Sequence, residues 1–238
     1  MKSDSDEVKK LTLLGFCAGN SPLVMDIAKD AMHITEVDIV KNVTVDVPDN
    51  LSKRFGIKVN DGFSDSYEFL NPMHIHFGVL DAHLKYAVFN HFQKKYNIGK
   101  VFYSSIIHPK SFIASSVKQG NGLLLEPMAV ISSESAVGFG VTIKRNSSIG
   151  HHVSLGDFST INPGAILSGN VNVGEGATIG SGATIIHNIK VGKYSLIGAG
   201  SVVTKNIPDG VVAFGNPCRV VRKYDRWENV LRDHFKGD

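Results

Sequence analysis

Residues 135–206, cut in sixes, read SAVGFG VTIKRN SSIGHH VSLGDF STINPG AILSGN VNVGEG ATIGSG ATIIHN IKVGKY SLIGAG SVVTKN. The third place of every six is aliphatic, from Val137 to Val203. Ile113, Leu125 and Ile131 carry the phase upstream, with Gln119 as its one break. The first place is mostly small or β-branched, from Ser135 to Ser201. A period of six fits neither the 3.6 of an α-helix nor the 2.0 of a continuous strand. It fits a short strand followed by a tight corner. Side chains two apart on a strand share a face, so places one and three both point inward. Three sixes close one triangular coil, and residues one coil apart stack at about the inter-strand spacing of ~4.8 Å. Glycine often follows the aliphatic place (Gly138, Gly150, Gly156, Gly174, Gly180, Gly192, Gly198), where it is expected to help the backbone turn. The sequence therefore predicts a parallel β-helix. The repeat does not fix the hand of the coil, because parallel crossovers are ordinarily right-handed.

Upstream the pattern changes. Residues 10–16 (KLTLLGF) predict a buried strand, and 21–31 (SPLVMDIAKDA) a helix capped by Ser21 with Pro22 at its first position. Residues 36–43 predict a second strand, 73–80 (MHIHFGVL) a third, 82–96 an amphipathic helix, and 101–107 (VFYSSII) a closing strand. His74 and His76 alternate on the third strand and read as sheet residues. This order predicts a small parallel, Rossmann-like sheet with helices on it. Residues 45–67 are polar and read as an irregular loop. The turn after the first strand, GFCAGN, places Gly15, Gly19 and Asn20 before a helix start, where backbone N–H groups could hold a phosphate. A plain glycine-rich turn reads equally well there, since the dinucleotide fingerprint is incomplete. The chain divides into an α/β domain at 1–108, a β-helix domain at 109–221 and a charged helical tail at 222–238. In the tail Trp227, Val230 and Leu231 form an apolar stripe suited to a neighbour.

Composition excludes several classes. Apolar residues make up 42 % of the chain, enough for a sizeable core. The net charge of +3 comes with no long basic block, so no nucleic-acid partner is implied. Two distant cysteines, Cys17 and Cys218, fit a reducing compartment rather than a disulfide framework. The first residues lack the apolar run of a signal peptide, and no stretch approaches the ~20 apolar residues that span a bilayer. A cytoplasmic protein with no membrane partner is expected.

The segment from GHHVSLGDF to FGNPCRVV, together with IIHPKSFIA and NPGAILSGN, resembles the hexapeptide-repeat sugar acyltransferases. The nearest branch holds the enzymes that N-acetylate 4-amino sugars on nucleotide carriers, of bacillosamine and perosamine type, and the sialic acid O-acetyltransferases. The resemblance runs from about residue 104 to 221 and more weakly over the N-terminal sheet. It implies a left-handed β-helix and a homotrimer with active sites between subunits. Acetyl-CoA would be the co-substrate, with no metal, and a nucleotide sugar destined for surface polysaccharide such as lipopolysaccharide O-antigen would be the acceptor. The family's catalytic histidine falls on His151, and the backbone amide that receives the thioester oxygen on Gly169. Gly164, Ala165, Ser181 and Ala199 fall along the pantetheine arm. Pro217 and Arg219 fall near the adenine. Gly15, Gly19 and Asn20 fall in the nucleotide turn. Three departures stand out. The residue after the base is often acidic and is here His152. A position that often carries a histidine touching the cofactor is Thr160. The nucleotide turn usually reads GxSGHG.

A neutral imidazole suits removal of a proton from an amine or hydroxyl attacking a thioester. The stacking rule puts Gly169 one coil after His151, on the same edge. It also puts Glu134 one coil before His152, which makes a Glu134–His152 pair the expected replacement for the missing carboxylate, with Asp157 as the competitor. Lys144 and Asn146 precede the base and are candidates to touch the acceptor sugar. Two other readings compete. A zinc enzyme would use His151 and His187, two coils apart, but needs a third ligand that 191–193 (VGK) does not supply. A non-catalytic β-helix scaffold would not bind CoA. Within the enzyme reading, a hydroxyl acceptor would make the protein an O-acetyltransferase of sialic acid or serine type.

Overall fold

The computed structural model describes residues 9–41, 57–60 and 74–235. From Ile106 to Val203 the chain winds as two-residue strands joined by corners, and each as far as Thr184–Ile185 pairs in parallel with the strand 18 residues on, as Ala136 with Ser154 and Ile149 with Leu167. Together with the closing strands Val211–Gly215 and Cys218–Lys223 they form three sheets of five, eight and six strands. All twelve third-place aliphatics from Val137 to Val203 are buried, and so are all twelve first-place residues from Ser135 to Ser201. The first-place serines Ser135, Ser147, Ser195 and Ser201 find hydrogen-bond partners inside, whereas the buried Ser159 hydroxyl has none among the described residues. Ser135 Oγ donates to the Gly150 carbonyl at 2.9 Å and accepts the Val153 N–H at 3.1 Å.

The glycines have a different reason from the one the sequence suggests. Those after the aliphatic place have ordinary φ. A Cβ on Gly156 would stand 2.5 Å from the Glu175 nitrogen, and one on Gly150 would stand 2.8 Å from the Leu167 carbonyl. They let one coil lie close on the next. The left-handed corner residue is the sixth place: Asn146, His152, Phe158, Gly164, Asn170 and Gly176 all have φ between 55° and 70°.

The N-terminal sheet has the order β3-β2-β1-β4, all parallel, with β1 at Lys10–Leu14, β2 at Glu36–Val40, β3 at Ile57–Asn60 and β4 at His74–Phe77. Helix α1 (Ser21–Met32) follows β1, and α2 (Ala82–Tyr96) follows β4. β3 lies inside the segment expected to be a loop; four residues are too few for periodicity to register. The rest of 45–67 lies outside the described residues. Ser21 is not the cap. Asn20 holds that place without a side-chain bond, while Ser21 is buried inside the first turn, donating to the Gly78 carbonyl at 2.6 Å and accepting the Cys17 N–H at 2.9 Å. Residues 101–107 do not close this sheet as one strand. Lys100–Phe102 is a 3-10 turn, Tyr103 makes one bridge to Ile75, and Ile106–Ile107 is already the first rung of the β-helix.

The small domain sits on the outer face of the eight-stranded sheet. Phe77, Phe89 and Tyr103 pack on Phe139 and Phe158 at one β-helix corner. Lys85 of α2 is buried there. Its Nζ donates to the Gly140 carbonyl and to Thr142 Oγ1, and burial, then the charge of Lys144, pull the amine well below its ordinary value. His76 is buried too. Burial pushes it down to about 4, so its ring stays neutral and its Nδ1–H donates to the Ser104 carbonyl at 2.9 Å. After Val203 a hairpin of Val211–Gly215 and Cys218–Lys223 closes the β-helix, and α3 (Arg226–Phe235) folds back. Trp227 packs on its own chain, against Tyr194, Tyr86 and His83, rather than on a neighbour. Among the described residues no helix is long and apolar enough to cross a membrane.

Candidate active site

The six-stranded sheet separates two corners. One stacks 132–134, 150–152, 168–170 and 186–188; the other stacks 144–146, 162–164, 180–182 and 198–200. The first corner carries His151 and His152, both exposed. Backbone bonds between coils hold them in place: the His152 N–H donates to the Ser133 carbonyl and the Asn170 N–H to the His151 carbonyl, each at 3.0 Å. The two imidazoles meet nearly at right angles, with Nδ1 of His151 3.0 Å from Nδ1 of His152. One of the two nitrogens must carry the shared proton. With that proton on His151 Nδ1, its Nε2 keeps a free lone pair.

The His151 ring lies against Gly169 on the next coil. A Cβ at Gly169 would stand 2.5 Å from both Nε2 and Cε1. The Gly169 N–H donates to no acceptor among the described residues. An imidazole nitrogen able to take a proton thus lies beside a backbone donor able to face an oxyanion. Gly169→Ala is expected to keep the fold, since the backbone there is not left-handed. It should push the ring aside and lower kcat about tenfold or more. Circular dichroism beside steady-state kinetics would check this.

Other expected contacts differ. Glu134 is exposed one coil before His152, and no Glu134–His152 ion pair within 4 Å forms; its backbone N–H is held by Ser116 Oγ. Asp157 is engaged elsewhere, accepting the Phe139 N–H at 2.9 Å and pairing with Lys100 at 2.6 Å. Thr160 does not face an open groove. It is 3 % exposed beneath the small domain, with its hydroxyl 3.4 Å from the Leu80 carbonyl. The Ala165 side chain points into the core, which leaves only its backbone for contact.

The second corner gathers Gly164, Ser181 and Ala199. The N–H groups of Ser181 and Ala199 find no acceptor among the described residues. Lys144 lies on this corner and donates to Asn162 Oδ1 at 2.9 Å, with Asn146 exposed beside it. Pro217 and Arg219 are exposed at the closing hairpin. So His151 and Gly169 are brought together, whereas Ser181 and Ala199 stand across a sheet from them within one chain. His187 is exposed two coils from His151, and no group of three metal-ligating side chains occurs among the described residues.

In the small domain, β1 pairs with β2 on one side and β4 on the other, so the strand order reverses at β1. Ligands of open parallel sheets sit outside the strand ends at such a point. Gly15 (φ 74°) turns the chain there, and its carbonyl approaches Gly78 so closely that no side chain fits at 78. The Asn20 and Ser21 N–H groups return to the Cys17 carbonyl, which leaves those of Ala18 and Gly19 without an acceptor among the described residues. Lys85, Asn162 and the Glu126–Arg145 pair at 3.1 Å were not singled out from sequence. Only the 18-residue column places Glu126, Lys144 and Asn162 side by side.

The profile of bacterial transferase hexapeptide (six repeats) matches residues 170–205. No curated protein matches the chain. Among solved structures, the acetyltransferase domain of PglB from Neisseria gonorrhoeae, in complex with acetyl coenzyme A, is 26 % identical with a TM-score of 0.73. That match covers 90 % of this chain and 100 % of that one. PerB from Caulobacter crescentus, in complex with CoA and GDP-perosamine, is 24 % identical with a TM-score of 0.65, covering 90 % and 97 %. WeeI from Acinetobacter baumannii shares the fold at 20 % identity and a TM-score of 0.69, covering 90 % and 100 %. Residues 170–205 thus resemble the hexapeptide repeat, and the left-handed parallel β-helix behind a small α/β unit is the fold this chain shares with the PglB acetyltransferase domain, PerB and WeeI.

Proposed function

We propose that this chain transfers the acetyl group of acetyl-CoA to the amino group of a nucleotide-linked amino-dideoxy sugar, in the cytoplasm, for surface polysaccharide such as O-antigen. The observation that carries the reading is the His151 imidazole lying against Gly169, with its Nδ1 engaged and the glycine N–H unclaimed. The acetyl-CoA and GDP-perosamine complexes of the similar proteins supply the substrate classes. The amine attacks the thioester carbon, and His151 Nε2 takes the amine proton. The Gly169 N–H faces the oxyanion. The C–S bond then breaks, and the proton on Nε2 passes to the CoA sulfur. The Ala18–Gly19 turn is suited to the diphosphate.

The active unit is a homotrimer in this reading. The corner of one copy that bears His151 meets a neighbour's corner bearing Ser181 and Ala199, and the cofactor arm lies between. Phe112, Val130 and Ile166, exposed on the sheet between the two corners, give such a contact its apolar surface.

A thiol-release assay tests the function. Acetyl-CoA is offered with UDP-, dTDP- and GDP-linked 4-amino-4,6-dideoxy sugars. Turnover on one amino sugar is expected. No turnover on any of them, with no CoA binding by calorimetry, would overturn the enzyme reading. CoA binding with turnover only on hydroxyl acceptors would move the protein to the O-acetyltransferases.

A further inference from the structure

A base that must lift a proton at one ring nitrogen needs the other nitrogen held by a partner of fixed polarity. Here that partner is a second imidazole. His152 occupies a left-handed corner (φ 55°), and its ring stands against that of its own neighbour. The result is the 3.0 Å Nδ1–Nδ1 contact at 88° between ring planes. Among the described residues no carboxylate joins the pair. Along the same corner stand Glu134, one coil before His152, then His187 and Lys205, two and three coils after His151; the adjoining strands present only Ser148 and Ser154. Asn170 and Asn188 complete the His152 column without charge.

From this geometry we propose that His152 is the positioning residue of a two-histidine base, and that its own protonation switches the base off. Neutral His152 accepts the His151 Nδ1–H, which leaves His151 Nε2 bare for the substrate proton. When His152 gains a proton, its Nδ1 becomes a donor. The shared bond then reverses, His151 is driven to the tautomer protonated at Nε2, and it can no longer accept. A single proton on either ring therefore disables the site. A carboxylate partner would act differently, since it accepts from Nδ1 at every pH above its own titration.

The inference rests on the role proposed for His151, and the fold supplies clean variants to separate the two. Place six already accepts glycine at Gly164, Gly182 and Gly200, and asparagine at Asn146, Asn170 and Asn188, all left-handed. His152→Gly and His152→Asn should therefore fold. His152→Gly is expected to lower kcat roughly 10- to 100-fold with KM for acetyl-CoA little changed. His152→Asn, whose amide oxygen accepts without titrating, should recover most of that loss and extend activity to lower pH than wild type.

Imidazole 15N NMR of the full chain reads the same device without turnover. Wild type above the acid limb should show one His151 tautomer, protonated at Nδ1, and His152→Gly a mixture. Equal kcat, pH profile and tautomer in wild type and His152→Gly would overturn the proposal. A silent His151→Ala phenotype would instead remove the base itself and leave the NMR result standing alone.

Discussion

Replacing His151 by alanine is expected to cut kcat about 10²- to 10⁴-fold, the range a positioned general base supplies. In the proposed reaction the attacking amine must shed a proton as it bonds to the thioester carbon. Without an acceptor at Nε2 the charge stays on nitrogen, and the intermediate reverts to amine and thioester. The loss should appear in kcat. KM for acetyl-CoA should stay within about threefold, because the second corner and the closing hairpin, which are proposed to hold the cofactor, are untouched. The fold should also be untouched. Alanine occupies the same fifth place of the repeat at Ala199, exposed at a corner of the same build. Steady-state kinetics on the purified variant, with the thermal midpoint as control, would decide the matter. A variant with full kcat and unchanged midpoint would remove His151 from the mechanism. A loss confined to KM would make it a binding residue.

The His151–Gly169 neighbourhood was legible because a six-residue repeat reports three-dimensional neighbours directly. A residue and the one 18 places later share a corner, so the His151–Gly169 pair follows from counting, and the structure lays one against the other. The same count misled at Glu134. Stacking fixes backbones about 4.8 Å apart, but an exposed side chain on a corner can point along the corner, across it or away. His152 turned sideways to His151 instead of down to Glu134. The place where left-handed residues fall was not apparent from glycine either, which marks close coil packing at place four as well as turning at place six. Thr160 was misplaced for a related reason. Its outward direction is given by the repeat, but what covers each outer face is decided by the docking of the small domain, a long-range contact with no local signal. β3 was missed because four residues carry too little pattern.

Trp227→Ala is expected to destabilise the protein by about 3–5 kcal/mol, the range for removing a buried tryptophan. It is the sole tryptophan of the sequence and is 2 % exposed. Three parts of the chain meet on its ring. The β-helix contributes Tyr194, at 4.6 Å between ring centroids, and Gly176, where a Cβ would stand 2.5 Å from Cζ2. Helix α2 contributes Tyr86 at 5.7 Å and His83 at 6.3 Å. The tail contributes the tryptophan itself, with Tyr224 buried beside it. Alanine would leave a cavity that the rigid coil cannot close, because the corner at Gly176 is pinned by backbone bonds to the coils on both sides. At about 2–4 °C per kcal/mol for a chain of this size, the thermal midpoint should fall by roughly 10 °C. Calorimetry would measure it, and wild-type tryptophan fluorescence would show whether the tail leaves before the β-helix melts. The same ring couples α2 to the β-helix, so the variant should also raise KM for the nucleotide sugar while sparing KM for acetyl-CoA. An unchanged midpoint would mean that the tail is an ornament on a β-helix that holds its small domain by the Phe77–Phe139–Phe158 cluster alone.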